Sequence, residues 1–145
     1  MPRLSRTSLV ALFFATVAVA KADTCITGKL RHRMHRTWVE EASAYCYNVD
    51  KTALKSNSCS ERGACAAESA SLRKLDRSAL NSTLGSPGFN LCYAAGGRPQ
   101  LLEFWADERW FELDRCTFPR DGSYVSTGLL AARLREEATA KQSSD

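Results

Sequence analysis

Between Gln100 and Cys116 the chain reads QLLEFWADERWFELDRC, and apolar and polar residues alternate on both sides of a charged centre. Placing the turn at Ala106-Asp107-Glu108-Arg109 folds this run into a β-hairpin. Phe104 then faces Phe111 and Leu102 faces Leu113, while Trp105 meets Trp110 and Glu103 meets Glu112 on the opposite face. The first set is a core face. The second is unusual for a passive surface, because two carboxylates stand side by side next to two tryptophans. Like charges directly opposite one another destabilise a strand pair unless a cation intervenes, and Arg98, Arg109 or Arg115 is the candidate cation.

The remaining pattern is weaker. Residues 25–41 place Leu30, Met34 and Trp38 on one parity and Lys29, Arg31 and Arg33 on the other, which reads as one strand with an apolar and a basic face; the four-residue repeat of the apolar set also admits a helix. Tyr45, Tyr47 and Val49 alternate, and turn chemistry near Lys51 predicts a second hairpin region, with Ser56-Asn57-Ser58 breaking its return arm. That hairpin brings Cys46 toward Cys59 and suggests a bridge between them. Glu61-Arg62-Gly63 reads as a tight turn. Residues 66–80 predict the central helix, with Leu72, Leu75 and Ala79 forming a narrow stripe. Gly85, Pro87 and Gly88 read as a helix stop and linker, and from Leu129 a short helix runs into a polar tail. The expected fold is a small disulfide-stabilised α+β domain with two β-hairpin regions, a central helix and a short C-terminal helix.

The N-terminus changes how charge is read. Arg3 and Arg6 precede an apolar run from Leu9 to Ala20, and Ala20-Lys21-Ala22 is a small-x-small cleavage site. Residues 1–22 therefore read as a signal peptide, cut before Asp23; the apolar run is too short to span a bilayer. Asp23 and Thr24 ahead of Cys25 argue against a lipidated cysteine. Removing the signal takes away three of 20 cationic residues and none of 16 acidic ones, so the net charge falls from +4 to +1. The basic balance belongs mostly to targeting and supports no specific nucleic-acid binding. The mature chain divides into a cysteine-rich part over 23–84, a Cys/Gly-Gly hairpin module over 85–128, and a short helix and tail over 129–145. No transmembrane segment is expected after cleavage.

All six cysteines, Cys25, Cys46, Cys59, Cys65, Cys92 and Cys116, follow the cut, and an even number in an exported chain implies disulfides. That assignment leaves His32 and His35 without sulfur ligands, so neither a metal nor a cofactor is expected. Lys29, Arg31, Arg33 and Arg36 form a short basic patch, read either as a site for an anionic partner or as a solvated strand face. Glu103 and Glu112 form an acid/base pair only if a cleft encloses both. No Gly-x-Ser-x-Gly, phosphate-loop or zincin motif is present. Asn81-Ser82-Thr83 fits a glycosylation sequon.

Residues 86–123 resemble a small bacterial domain of unknown function that occurs in exported proteins and lipoproteins and carries a haemolysin label. The matching pieces are Leu91-Cys92-Tyr93, Gly96-Gly97, Cys116 and Phe118-Pro119-Arg120-Asp121-Gly122-Ser123. Ser86-Pro87-Gly88 stands where that family has Asn-Pro-Ala, Arg120 separates Pro119 from Asp121, and the family's later cysteine and tryptophan are missing. The resemblance implies an exported bacterial protein with a Cys92–Cys116 link, and it brings no catalytic residue.

These readings converge on a non-enzymatic binding protein of the bacterial envelope or extracellular space. Its contact surface is the face carrying Trp105, Trp110, Glu103 and Glu112, and its partner an unidentified protein or glycan. A secreted inhibitor or toxin-like effector, and a hydrolase using Glu103 and Glu112, are the other classes. N-terminal sequencing of the exported protein should begin at Asp23; a start within residues 1–22 would contradict the signal assignment.

Overall fold

The computed structural model of the protein describes residues 23–62, 64–71 and 86–142. Its strands are β1 (Thr24–Met34), β2 (Thr37–Tyr47), β3 (Leu54–Ser56), β4 (Arg98–Ala106), β5 (Arg109–Thr117) and β6 (Tyr124–Ser126). They close into an antiparallel barrel in the order β1-β2-β3-β6-β5-β4. Among the described residues four helices accompany it: α1 (Asn57–Arg62), α2 (Ala66–Ser71), α3 (Pro87–Ala94) and α4 (Thr127–Gln142).

The barrel overturns the expected α+β domain built around a central helix. Residues 25–41 are not one strand: the chain reverses at His35-Arg36, and His35 itself adopts the left-handed conformation, φ 58°. Non-glycine residues seldom do this, and no Gly, Asn or Pro marks the turn. Two three-residue strands, β3 and β6, complete the ring, and such short strands show no readable alternation. Of the predicted helix over 66–80, α2 covers Ala66–Ser71; Leu72, Leu75 and Ala79 lie outside the described residues, as do residues 1–22 and the Asn81 sequon.

Three local readings also change. Asn57 opens α1 rather than merely breaking a strand, and α1 takes in Glu61 and Arg62, which had read as a turn. Pro87 and Gly88 start α3 instead of ending a helix, since proline is well suited to the first helical position, where its missing N–H is not needed. The C-terminal helix begins at Thr127, two residues before Leu129, and continues to Gln142.

The β4–β5 hairpin forms in the register read from its alternation, with Leu102 opposite Leu113, Phe104 opposite Phe111 and Trp105 opposite Trp110. Asp107 and Glu108 both have positive φ, 46° and 61°, as a two-residue turn matching the strand twist requires. The hairpin around Lys51 forms too, as β2–β3, with Tyr47 opposite Leu54.

A six-stranded barrel is narrow enough for side chains to fill it. Leu30, Tyr45, Leu102 and Phe104 are fully buried there, with Tyr47, Leu54, Ala106 and Tyr124. Phe104 sits at the centre of the aromatic contacts, with ring centroids 5.9 Å from Tyr45, 5.5 Å from Tyr47 and 5.5 Å from Phe111. A second core lies between helices and barrel wall and includes Ala67, Ala70, Leu91, Phe118, Val125 and Leu130.

The disulfides are Cys25–Cys46, Cys59–Cys65 and Cys92–Cys116. The last is the link implied by the family resemblance. The expected Cys46–Cys59 bridge is absent, because Cys46 stands directly across from Cys25 in the β1–β2 ladder, whereas Cys59 lies beyond β3 in α1. With no free cysteine, this set fits a protein of an oxidising compartment, extracellular or periplasmic. No described helix is long and apolar enough to cross a membrane.

Gly96-Gly97 has two distinct roles. Gly96 takes φ 82°, and the N–H groups of Gly96 and Gly97 donate to the Tyr93 and Cys92 carbonyls, a Schellman end for α3. A Cβ on Gly97 would collide with the sulfur of Cys116 and press on that of Cys92. The Asp121-Gly122-Ser123 turn also acts structurally. Asp121 accepts from Ala66 N–H at 2.7 Å, and Ser123 Oγ accepts from Ala67 N–H at 3.0 Å, which caps α2. Burial pulls the Asp121 carboxyl up, but hydrogen bonds from Ser123 and Ala66, with Arg120 nearby, outweigh it and hold the group below its ordinary value.

Phe104→Ala should lower unfolding free energy by about 3–5 kcal/mol in chemical denaturation. A loss below about 1 kcal/mol would contradict a filled barrel.

Candidate functional site

Alternation sends one residue in two out of the barrel. On β4 these are Leu101, Glu103 and Trp105; on β5 they are Trp110, Glu112 and Asp114. The β1–β4 ladder sets Arg31 beside Glu103, and the β1–β2 ladder sets Arg31 opposite Glu40 and Arg33 opposite Trp38. The outer face therefore carries a basic column on β1 (Lys29, Arg31, Arg33), a mixed column on β4 and an acidic one on β5.

Arg31 is at the centre of this face. It forms an ion pair with Glu103, and its guanidinium lies 4.3 Å from the ring centroid of Trp110 and 5.1 Å from that of Trp38. Trp105 packs edge-on against Trp110, centroids 5.2 Å apart at 71°. Trp38, Arg31, Trp110 and Trp105 thus form a continuous strip in which each planar group restrains the next. A flat, weakly hydrated guanidinium is well suited to such stacking. Trp38 and Trp105 are each 37% exposed, so among the described residues no further element covers the strip.

The cation beside this carboxylate pair is Arg31, which is ion-paired with Glu103, and not Arg98, Arg109 or Arg115. Arg109 lies over the Phe111 ring at 4.4 Å. Arg115 points into the barrel, where Nη1 donates to Glu41 Oε1 at 2.8 Å and Nε to Gln100 Oε1 at 2.9 Å, with the Tyr124 ring 4.9 Å away. Tyr124 Oη and Ser43 Oγ are hydrogen-bonded at 2.9 Å. Burial raises the Tyr124 hydroxyl above its ordinary value, more than the Ser43 bond and the Arg115 charge lower it, and the Glu41 charge adds to the rise.

The basic patch is similarly divided. Arg31 is ion-paired, Lys29 and Arg33 share its column, and Arg36 sits in the β1–β2 turn. Glu103 and Glu112 are opposite one another on the outside of the wall. Glu112 borders a cleft of about 420 Å³ with Thr52, Asp114, Thr127 and Gly128. Glu103 does not line it, so the two carboxylates do not flank one enclosed bond. His32 pairs in register with Val39 and Leu102, its Nδ1 buried with no hydrogen-bond partner; His35 is in the turn. Among the described residues no group of three His, Cys, Asp or Glu side chains is placed to hold a metal ion.

Sequence reading missed Trp38 as part of this face, together with the Arg31 sandwich and the interior Arg115 network. Only the outward parity of Lys29, Arg31 and Arg33 pointed toward it.

Tyr45 fixes the strip from inside. Its hydroxyl donates to the Trp105 carbonyl at 2.7 Å, with the Lys29 carbonyl at 3.3 Å. A Cβ on Gly28 would occupy the space of that hydroxyl. Burial, and less so Tyr124 and Tyr47, push the Tyr45 hydroxyl up from 10.0 to about 12. A folded value above the unfolded one means the stabilisation is complete below about pH 10 and is lost as pH rises to about 12. Denaturation midpoints should fall over that window, and Tyr45→Phe should remove this component of the fall. An equally steep fall in the variant would contradict it.

No family model, curated protein or solved structure matches this chain.

Proposed function

We propose that the protein is an exported, non-enzymatic binding module that holds a protein partner on the Trp38–Arg31–Trp110–Trp105 strip. The observation that carries this reading is the stacked arginine. Trp and Arg are the residues that most often dominate protein–protein contacts, and a side chain already held by two rings and a carboxylate loses little further freedom on binding. The barrel interior is taken up by its own core, which leaves the outer wall as the place for recognition. The resemblance of residues 86–123 to the haemolysin-labelled domain fits an exported bacterial module and supplies no catalytic group.

The test is affinity capture with the oxidised protein, with mass spectrometry identifying what is retained. Combined Trp105→Ala and Trp110→Ala should weaken capture by about 2 kcal/mol or more, with circular dichroism unchanged. Undiminished capture by the folded variant, or its unfolding, would defeat this reading.

A further inference from the structure

The pattern of charge across the outer face is self-complementary. Two registers define its rows: Arg31 is beside Glu103, and Glu103 is opposite Glu112. Extending the β1–β4 register by one row carries Arg33 toward Leu101, which is opposite Asp114; in the other direction it carries Lys29 toward Trp105, opposite Trp110. β4 is thus a middle column, flanked by cations on β1 and by acids on β5.

We infer that this face is the interface of a symmetric dimer, in which a second copy of the chain packs on it about a two-fold axis running along β4. This rests on the reading of the face as a contact surface and names its occupant. The axis sets β4 on its own copy, so Leu101 meets Leu101 and Trp105 meets Trp105. It brings β1 over the partner's β5, so that Arg33 reaches Asp114, Arg31 reaches Glu112 and Lys29 reaches Trp110 of the other copy. An axis across the strands would instead set β1 on β1 and β5 on β5, like charge on like. The charge pattern therefore selects one of the two arrangements, as isologous contacts require.

Four observations support this occupant. Among the described residues, Lys29 and Arg33 make no ion pair with an acid, and Glu112 and Asp114 make none with a base. Each column repels itself in one copy, and both are relieved together in two. Burial, then the neighbouring Glu112, raises the Asp114 carboxyl above its ordinary value, as for an acid without an adjacent cation. The cleft of about 420 Å³ beside Glu112 and Asp114, also lined by Thr52 and Thr127, is a receptacle for a cationic side chain. Leu101 and Trp105, 39% and 37% exposed, supply apolar area at the axis. Glu103 meets its own copy there and is neutralised by its own Arg31.

Sedimentation equilibrium of the oxidised protein recovered after export should show a reversible dimer. Arg33→Glu and Asp114→Arg should each weaken it by roughly tenfold or more. The two changes together should restore it, because opposite charges then meet again. Leu101→Glu, which places like charges across the axis, should give monomer. Circular dichroism and a non-reducing peptide map establish that each variant is folded. A monomeric wild type, a dimer indifferent to the single reversals, or a double variant no tighter than the singles would overturn the inference. A monomeric wild type that still captures another protein through Trp105 and Trp110 would overturn it while leaving the contact-surface reading intact.

Discussion

Three residue pairs between β1 and β4, Leu30 with Phe104, Arg31 with Glu103 and His32 with Leu102, close the barrel. They join residues 70 to 74 positions apart in the chain. One register sets both sides of the wall, because neighbouring residues on a strand point to opposite faces. Leu30 and Phe104 meet inside, in the aromatic core, and Arg31 and Glu103 meet outside, at the centre of the tryptophan strip. A slip by one residue would bury the ion pair and expose the core pair. Core packing and surface chemistry are therefore locked to a single ladder.

The parts of the fold legible in the sequence are local. The β4–β5 register follows from alternation around a charged turn, and the β2–β3 hairpin from turn chemistry near Lys51. Barrel closure was not legible, since it depends on β1 meeting β4 and on two strands of three residues. The β1–β2 turn stayed hidden because His35, without the usual glycine or asparagine, takes the left-handed conformation. For the same reason Trp38 was placed on the parity of Leu30. Once the turn is counted, the parity reverses, and Trp38 joins the outer face. The pairing of Cys46 was misread for a related reason: the nearest hairpin in sequence pointed to Cys59, while the long β1–β2 ladder brings Cys25 directly opposite.

Gly-Gly and Asp-Gly-Ser were conspicuous as motifs, and both are structural. The first ends α3 and leaves room for the Cys92–Cys116 sulfurs; the second caps α2 from the β5–β6 connection. The first fastens α3 at the opposite end of β4 and β5 from Trp105 and Trp110. These two motifs of residues 86–123 thus anchor the helical layer. The residues most suited to recognition come from both halves of the chain, with Arg31 and Trp38 from the first and Trp105 and Trp110 from the second.

The order of the disulfides has a consequence for biogenesis. The pairs are first with second, third with fourth and fifth with sixth along the chain. None encloses or interleaves with another. For a polypeptide entering an oxidising compartment N-terminus first, each cysteine's correct partner is the next to emerge or the one just before it. An oxidant that joins consecutive thiols as they appear therefore reaches the native set directly, with no wrong bridge for an isomerase to undo.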